Sequence, residues 1–119
     1  MHFETKIGGI YKITHLPTEQ YYIGMSVSIF TRWQSHFTSL SNHTHSSTKF
    51  RELWNSTNPN EWQFQILEIL PLGQFKTDTS LKGKALEKAY RQCLLRTERK
   101  WMSSHSKTYA LNKDDKYFT

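Results

Sequence analysis

Apolar and aromatic residues dominate two short stretches near the start of the chain, at residues 7–14 and 21–26. Both stretches are rich in β-branched and aromatic side chains, which favour extended backbone. The segment between them contains Pro17 and is short enough for a tight connection. We therefore predict two strands that pair as an antiparallel hairpin.

A helical pattern follows the hairpin. Apolar residues recur at intervals of four, four and three, the spacing of one helical face: Ile29, Trp33, Phe37 and Leu40. We predict that this helix begins near residue 29, with Ser26 or Ser28 as its cap. A polar loop at 41–47 then precedes a second short helix at 48–54.

The second half of the chain predicts one strand and one long helix. Residues 62–70 carry apolar side chains on both faces of an extended chain, which predicts a strand in the middle of a sheet. Residues 71–82 predict a loop, and residues 84–104 predict the longest helix because apolar residues recur there at helical spacing: Leu86, Tyr90, Leu94 and Trp101.

The order of these elements is strand, strand, helix, helix, strand, helix. It predicts an α+β fold with a small, mainly antiparallel three-stranded sheet flanked by helices. The 119 residues fit one domain over 1–119, with a core at about 7–112 and an irregular, charged tail at 113–119.

Composition narrows the range of partners and compartments. Sixteen Lys and Arg against ten Asp and Glu give a formal net charge of +6, which favours polyanions such as nucleic acid. Residues 1–9 show no apolar region of a secretory signal, and we expect no membrane association. The single cysteine, Cys93, fits a reducing cytoplasm, so we expect an intracellular protein.

The two predicted strands carry similar triplets, Gly9-Ile10-Tyr11 and Tyr22-Ile23-Gly24. A hairpin brings the two phenols near each other, and the glycines leave room for close approach of a backbone or a ligand. Tyrosine and glycine are also ordinary strand residues, so for either triplet alone a purely structural role is the favoured interpretation.

Three polar residues lie at the borders of apolar helical faces. Arg32 and His36 are four apart and therefore share a face of the first helix, where an arginine fork suits a phosphate. Glu98 lies at the edge of the last helix's apolar face, where a hard divalent cation would stabilise its carboxylate. The alternatives are a solvated helix flank for the first pair, and an ion pair with a nearby Lys or Arg for Glu98.

Taken in order, these residues resemble the GIY-YIG nuclease family, and the resemblance covers about residues 7–112. The two triplets match the family's two eponymous motifs, and the Arg32–His36 pair matches its helix motif. Glu98 matches the metal-binding glutamate of the last helix, and Asn112 matches the asparagine near the end of the domain. His45 resembles an additional histidine found in intron-encoded homing members.

The resemblance implies a metal-dependent DNA endonuclease in which water attacks phosphorus. It implies that Tyr11 takes the water's proton, directly or through His36, and that Arg32 stabilises the phosphate. Glu98 is implied to bind one Mg²⁺, for which Mn²⁺ can substitute, while Tyr22 and Asn112 orient Tyr11, the phosphate or Glu98. We further expect Arg32 and the metal to lower the pKa of Tyr11 below that of a free phenol.

DNA contacts are expected from Arg32, His45, Lys49 and Arg51, with further candidates without individual evidence at Lys76, Lys82 and Lys84. Homing members usually carry a DNA-recognition domain, and none is expected here, which favours a homodimer or a partner protein. Phage, mobile-element, restriction and repair roles stay open.

Three other functions remain to be weighed. The first is cleavage of RNA or of branched DNA. The second is a non-catalytic nucleic-acid-binding module, which would be expected to have lost Tyr11, Arg32 or Glu98, and all three are present. The third is a metal site at His43 and His45, which is disfavoured because no cysteine lies nearby.

Overall fold

A computed structural model describes residues 7–119 of the chain. The strands are β1 (Gly9–His15), β2 (Gln20–Ser26) and β3 (Trp62–Ile69). The helices are α1 (Ile29–Ser41), α2 (Thr48–Asn55), α3 (Leu72–Thr79) and α4 (Gly83–Ser103), with single 3₁₀ turns at Pro59–Glu61 and Lys107–Tyr109. The α+β class and the three-stranded antiparallel sheet are confirmed. The expected lack of a secretory signal falls largely on residues 1–6, outside the described residues.

The sheet has the order β2-β1-β3, so β1 lies in the middle. The prediction that residues 62–70 form the middle strand is therefore wrong. The reason lies in burial: Ile10, Tyr11 and Ile13 of β1 are almost completely buried and point to both faces of the sheet. In β3 only Trp62 is buried, and Ile69 is half exposed. β3 therefore carries apolar residues on both faces although it is an edge strand, and most of these side chains are only partly buried.

Helices cover the two faces of the sheet. On one face, Tyr11 and Ile13 pack with Ile29 and Leu40 of α1 and with Phe50 of α2. On the other face, strand residues pack against α4 and the C-terminal segment. The buried side chains of this cluster are Ile10, Tyr21 and Ile23 of the strands, Met102 of α4, and Ala110 and Phe118 after it. The predicted tail is irregular in backbone, but Phe118 anchors it in this second cluster.

Along residues 7–119, no helix has the length and apolar character that crossing a bilayer requires.

The pairing of β1 with β3 shifts register between Ile10 and Tyr11. At this irregularity the two backbones approach so closely that a Cβ on Gly9 would overlap the carbonyl oxygen of Glu68. The prediction that a motif glycine allows close approach of a backbone is confirmed at Gly9. Irregularities of this kind re-aim the neighbouring side chain, which here is Tyr11.

Residues 71–82 contain helix α3, so the predicted loop is wrong for most of its length. The helix has no buried residue, and Phe75, which packs on Tyr90, is its one half-buried side chain. A helix with so little buried surface has no apolar periodicity to reveal it, and Gly73 lowers its intrinsic propensity.

Candidate active site

The hairpin brings Tyr11 and Tyr22 together, as the sequence predicts. Tyr11 pairs with Gly24 across the two strands and Tyr22 pairs with Ile13, so the two tyrosines are diagonal neighbours on one face. Their ring centroids lie 6.5 Å apart, with an angle of 24° between the ring planes. Trp33 of α1 packs edge-on against Tyr11 at 6.3 Å. The phenol of Tyr11 is therefore fixed by packing on two sides.

Helix α1 places Arg32 and His36 at different depths. The helix begins at Ile29 as predicted, with Ser28 at the cap position. His36 is 1% exposed, whereas Phe37, predicted on the apolar face, is 50% exposed. His36 Nε2 lies 2.6 Å from the hydroxyl oxygen of Tyr11, while Arg32, four residues earlier on the helix, is exposed. The imidazole of His36 thus occupies the core position that the apolar pattern assigned to Phe37.

The electrostatics of Tyr11 are dominated by its burial. Burial raises the pKa of the Tyr11 phenol well above its ordinary value, and the nearby Tyr22 and Glu98 raise it further. The charge of Arg32 lowers the pKa, which is the expected direction. However, Arg32 does not outweigh burial, so the protein side chains by themselves do not bring this pKa below that of a free phenol.

Glu98 lies on α4 and lines an open cleft of about 290 Å³ together with Tyr22 and Asn112. Burial raises the pKa of its carboxyl group to about 7, against smaller lowering effects from Arg99 and from the backbone at Met25. Within residues 7–119 the two ion pairs are His15–Glu61 and Lys116–Asp114, and neither involves Glu98. This disfavours the alternative that Glu98 merely pairs with a Lys or Arg.

The surroundings of Glu98 fit a divalent metal ion. A partly buried carboxylate that forms no ion pair within residues 7–119 is stabilised by a hard cation, which prefers oxygen ligands. The described residues contain no group of three or more His, Cys, Asp or Glu side chains placed to bind a metal. Glu98 therefore does not belong to such a cluster, and water and phosphate oxygens would supply most of the other positions around an ion.

Asn112 connects the C-terminal segment to the second motif strand. Its Oδ1 accepts a hydrogen bond from the backbone N–H of Ile23 at 3.1 Å, and its Nδ2 donates to the Ile23 carbonyl at 2.7 Å. Both polar groups of the side chain are engaged with β2, directly beside Tyr22. Asn112 is thus in a position to fix β2 at the cleft, and its predicted role of orienting other site groups stays a prediction.

The basic residues predicted to contact DNA lie in different environments. Lys49 is exposed on α2, and Arg51 is half-buried, with its Nη1 donating to the His45 carbonyl at 3.1 Å. His45 is only 5% exposed, and both of its ring nitrogens have hydrogen-bond partners. The His45 ring is thus directed into the protein, and its predicted contact with DNA stays a prediction.

Some residues of the cleft were not predicted from the sequence. The cleft beside Glu98 is also lined by Arg99, Lys113 and Lys116. The guanidinium carbon of Arg99 lies over the Tyr117 ring, 4.3 Å from the ring centroid. The charge of the predicted tail was the one signal for Lys113 and Lys116, and it gave no indication that the tail folds back along α4.

Comparisons with known proteins place this geometry among nuclease domains. A family model described as the GIY-YIG catalytic domain matches residues 7–110. The catalytic domain of the homing endonuclease I-TevI is 25% identical with a TM-score of 0.65, covering 90% of this chain and 98% of that one. A mutant of the catalytic domain of intron endonuclease I-TevI, 24% identical, has a TM-score of 0.68 and covers 95% and 99%. No curated protein sequence matches the chain.

Proposed function

The chain belongs to the GIY-YIG nuclease family, and we propose that it is a metal-dependent DNA endonuclease that hydrolyses phosphodiester bonds. The observation that carries this proposal is the arrangement around Tyr11. Its hydroxyl oxygen lies 2.6 Å from His36 Nε2, and its pKa responds to the charges of both Arg32 and Glu98. A candidate proton acceptor, a phosphate-binding cation and a metal-binding carboxylate therefore lie within electrostatic reach of one another.

Tyr11 is the group we assign to take the proton of the attacking water. It must be in its phenolate form to do so, and burial disfavours that form. The cationic charge of Arg32 favours the phenolate. The hydrogen bond between Tyr11 and His36 does the same when His36 is the donor. General-base catalysis of this kind contributes about 10²-fold or more to a rate.

Arg32 is the group we assign to the phosphate. Its side chain is exposed, so the guanidinium can meet a substrate while its charge still acts on the phenols of Tyr11 and Tyr22. A planar guanidinium can donate two parallel hydrogen bonds to phosphate oxygens. Such a donor stabilises the negative charge that develops in the transition state, an effect worth about 10²-fold or more.

Glu98 is the residue that would bind a divalent cation, for which Mg²⁺ is our first candidate and Mn²⁺ a substitute. When bound, such a cation neutralises charge on the phosphate and on the leaving 3′-oxygen. Asn112 supports the same cleft by its two hydrogen bonds to Ile23.

DNA as the substrate is supported by charge and by likeness. The chain carries a formal net charge of +6, and basic side chains including Lys113 and Lys116 line the cleft beside Glu98. The similar solved structure of 25% identity is described as a homing endonuclease. One site of this kind cuts one strand, so a double-strand break requires two copies of the chain or two successive visits.

Incubation with supercoiled plasmid tests the proposal. With Mg²⁺ we expect nicked or linear product, and with a chelator we expect none. Parallel reactions with single-stranded RNA and with a branched DNA junction distinguish the alternative substrates. Plasmid cleavage that is equally fast with excess chelator would refute metal dependence, and cleavage of RNA alone would refute the choice of DNA.

A further inference from the structure

A chain of hydrogen bonds leads from the backbone of Ser47 to the hydroxyl of Tyr11. The Ser47 N–H donates to His45 Nδ1 at 3.0 Å, and His45 Nε2 lies 2.8 Å from His36 Nδ1. His36 Nε2 in turn lies 2.6 Å from the Tyr11 oxygen. All four residues are at most 5% exposed, so the chain runs through the interior of the protein.

The far end of this chain fixes its direction. A backbone amide can only donate a hydrogen bond, so His45 Nδ1 must be an acceptor and carries no proton. The proton of the neutral His45 ring is then on Nε2, which donates to His36 Nδ1. By the same reasoning the proton of His36 is on Nε2, which donates to the oxygen of Tyr11.

The charge state of the two rings agrees with this direction. Burial lowers the pKa of His36 to about 3, and the charges of Arg32 and His45 lower it further. Burial also lowers the pKa of His45, together with the charges of Arg32 and Arg51. Both rings are therefore neutral near pH 7. A cationic His45 would also place an Nδ1 proton against the Ser47 N–H, so that two donors would face each other.

We propose that His45 and the Ser47 amide are positioning groups that set the tautomer of His36, so that His36 donates a hydrogen bond to Tyr11. In this arrangement His36 does not accept the proton of Tyr11, because its Nε2 already carries one. Its donated hydrogen bond instead favours the phenolate over the phenol. The hydroxyl proton of Tyr11 is left to point away from His36.

This assignment also excludes a proton relay from Tyr11 through the two histidines. A relay would have to leave a proton on His45 Nδ1, the position occupied by the Ser47 N–H donor. Ser47 is itself fixed, because its hydroxyl donates to the Leu111 carbonyl and accepts from the Phe50 N–H at the start of α2. The catalytic consequence rests on the proposed function, whereas the tautomers do not.

NMR of the full chain with ¹⁵N-labelled histidine tests the tautomers without any substrate. Proton-bearing and proton-free ring nitrogens differ clearly in ¹⁵N shift, and spectra of His36→Gln and His45→Gln assign the signals. We expect both rings to be neutral at pH 7 with the proton on Nε2. A proton on Nδ1 of either ring, or a cationic ring, would overturn the proposal. Absence of nuclease activity would leave this measurement unaffected.

Two variants of similar size test the catalytic consequence. In His45→Gln an amide N–H can donate from near the position of Nε2, whereas the carboxylate of His45→Glu can only accept. We expect His45→Gln to retain most of the single-turnover rate and the Nε2 proton of His36. In His45→Glu we expect the His36 proton to move to Nδ1 and the rate to fall by about 10-fold or more.

The exposed His43 supplies the control for added charge, because His43→Glu introduces the same carboxylate two residues away and should leave the rate unchanged. Equal rates in His45→Gln and His45→Glu, whether both are retained or both are reduced, would overturn the catalytic part of the proposal. The hydrogen-bond donor at position 45 would then not be the feature that determines the rate. If either variant fails to fold, the tautomers of the unmodified protein still decide the proposal.

Discussion

Gly24 lies directly opposite Tyr11 in the hairpin, and its missing side chain makes room for the phenol. A Cβ on Gly24 would lie 2.5 Å from Tyr11 Cζ and closer still to the hydroxyl oxygen. Tyr11 is 1% exposed, so the ring has little free space into which it can move. The final glycine of the second triplet is thus a steric requirement for the position of the tyrosine in the first.

Substitution of Gly24 by Ala should therefore displace the Tyr11 hydroxyl. We expect Gly24→Ala to lower the cleavage rate by about 10²-fold, because general-base catalysis depends on position, and to destabilise the fold by about 1–3 kcal/mol through overpacking. Gly73→Ala is the matched control, since a Cβ there meets nothing within 4 Å. Single-turnover rates and urea unfolding measure both effects. A Gly24→Ala protein as active as Gly73→Ala would contradict the assignment of Tyr11.

Tyr11→Phe removes the proton acceptor and keeps the ring. We expect the single-turnover rate to fall by about 10²-fold or more, with DNA affinity nearly unchanged. Tyr21→Phe is the control, because Tyr21 is a buried tyrosine on the opposite face whose hydroxyl donates to the Ser106 carbonyl.

The pH dependence of the rate separates Tyr11 from other bases. Because burial raises the pKa of Tyr11 in the absence of metal, the rate should climb with pH without reaching a plateau near neutrality. This climb should be absent from the residual activity of Tyr11→Phe. Undiminished speed with an unaltered pH profile in Tyr11→Phe would show that the base lies elsewhere.

Local sequence patterns were sufficient to predict the parts of the fold that bury a periodic apolar face. The hairpin, the start of α1 at Ile29 and the extent of α4 follow from such faces, and the structure confirms them. Helix α3 was missed because it buries almost nothing. The position of β3 at an edge was missed because apolar content does not report how fully a neighbour covers it.

The candidate site shows the same division. Tyr11, Tyr22 and Glu98 were identified from their order along the chain, and the register of the hairpin brings the two tyrosines together. The position of His45 could not be predicted, because its contact with His36 depends on how the loop before α2 folds back on α1. A histidine in a polar, serine-rich segment gives no sign that it is buried.

Glu98→Gln should abolish metal-dependent cleavage. The amide keeps the size of the side chain but lacks the anionic charge that binds a hard cation. We expect at least about a 10²-fold loss of rate and a loss of Mg²⁺ binding measured by calorimetry. Removing a partly buried carboxyl group with a raised pKa should leave stability at pH 7 unchanged or slightly higher. Glu87→Gln, an exposed change on the same helix, is the control, and plasmid cleavage by Glu98→Gln at the rate of Glu87→Gln would exclude Glu98 as the ligand.

His36 should make the protein sensitive to mild acid. Burial lowers its pKa from the ordinary 6.5 to about 3 in the folded chain, so between these values the unfolded chain binds the additional proton. The free energy of unfolding must then decrease as the pH falls through this window, by at most about 1.4 kcal/mol per pH unit for one histidine. His45, whose pKa is also lowered, acts in the same direction. Glu98 acts in the opposite direction, because its raised pKa lets the folded chain bind a proton first.

The contribution of His36 is isolated by comparing slopes rather than stabilities. Urea unfolding between about pH 6 and about pH 5 should show a decrease in stability for the unmodified chain that is larger than for His36→Gln, by about 1 kcal/mol per pH unit. The opposing effect of Glu98 is present in both proteins and cancels in the difference. If His36→Gln and the unmodified chain lost stability in parallel, His36 would have to be protonated in the folded protein, and it could not then donate to Tyr11 as a neutral ring.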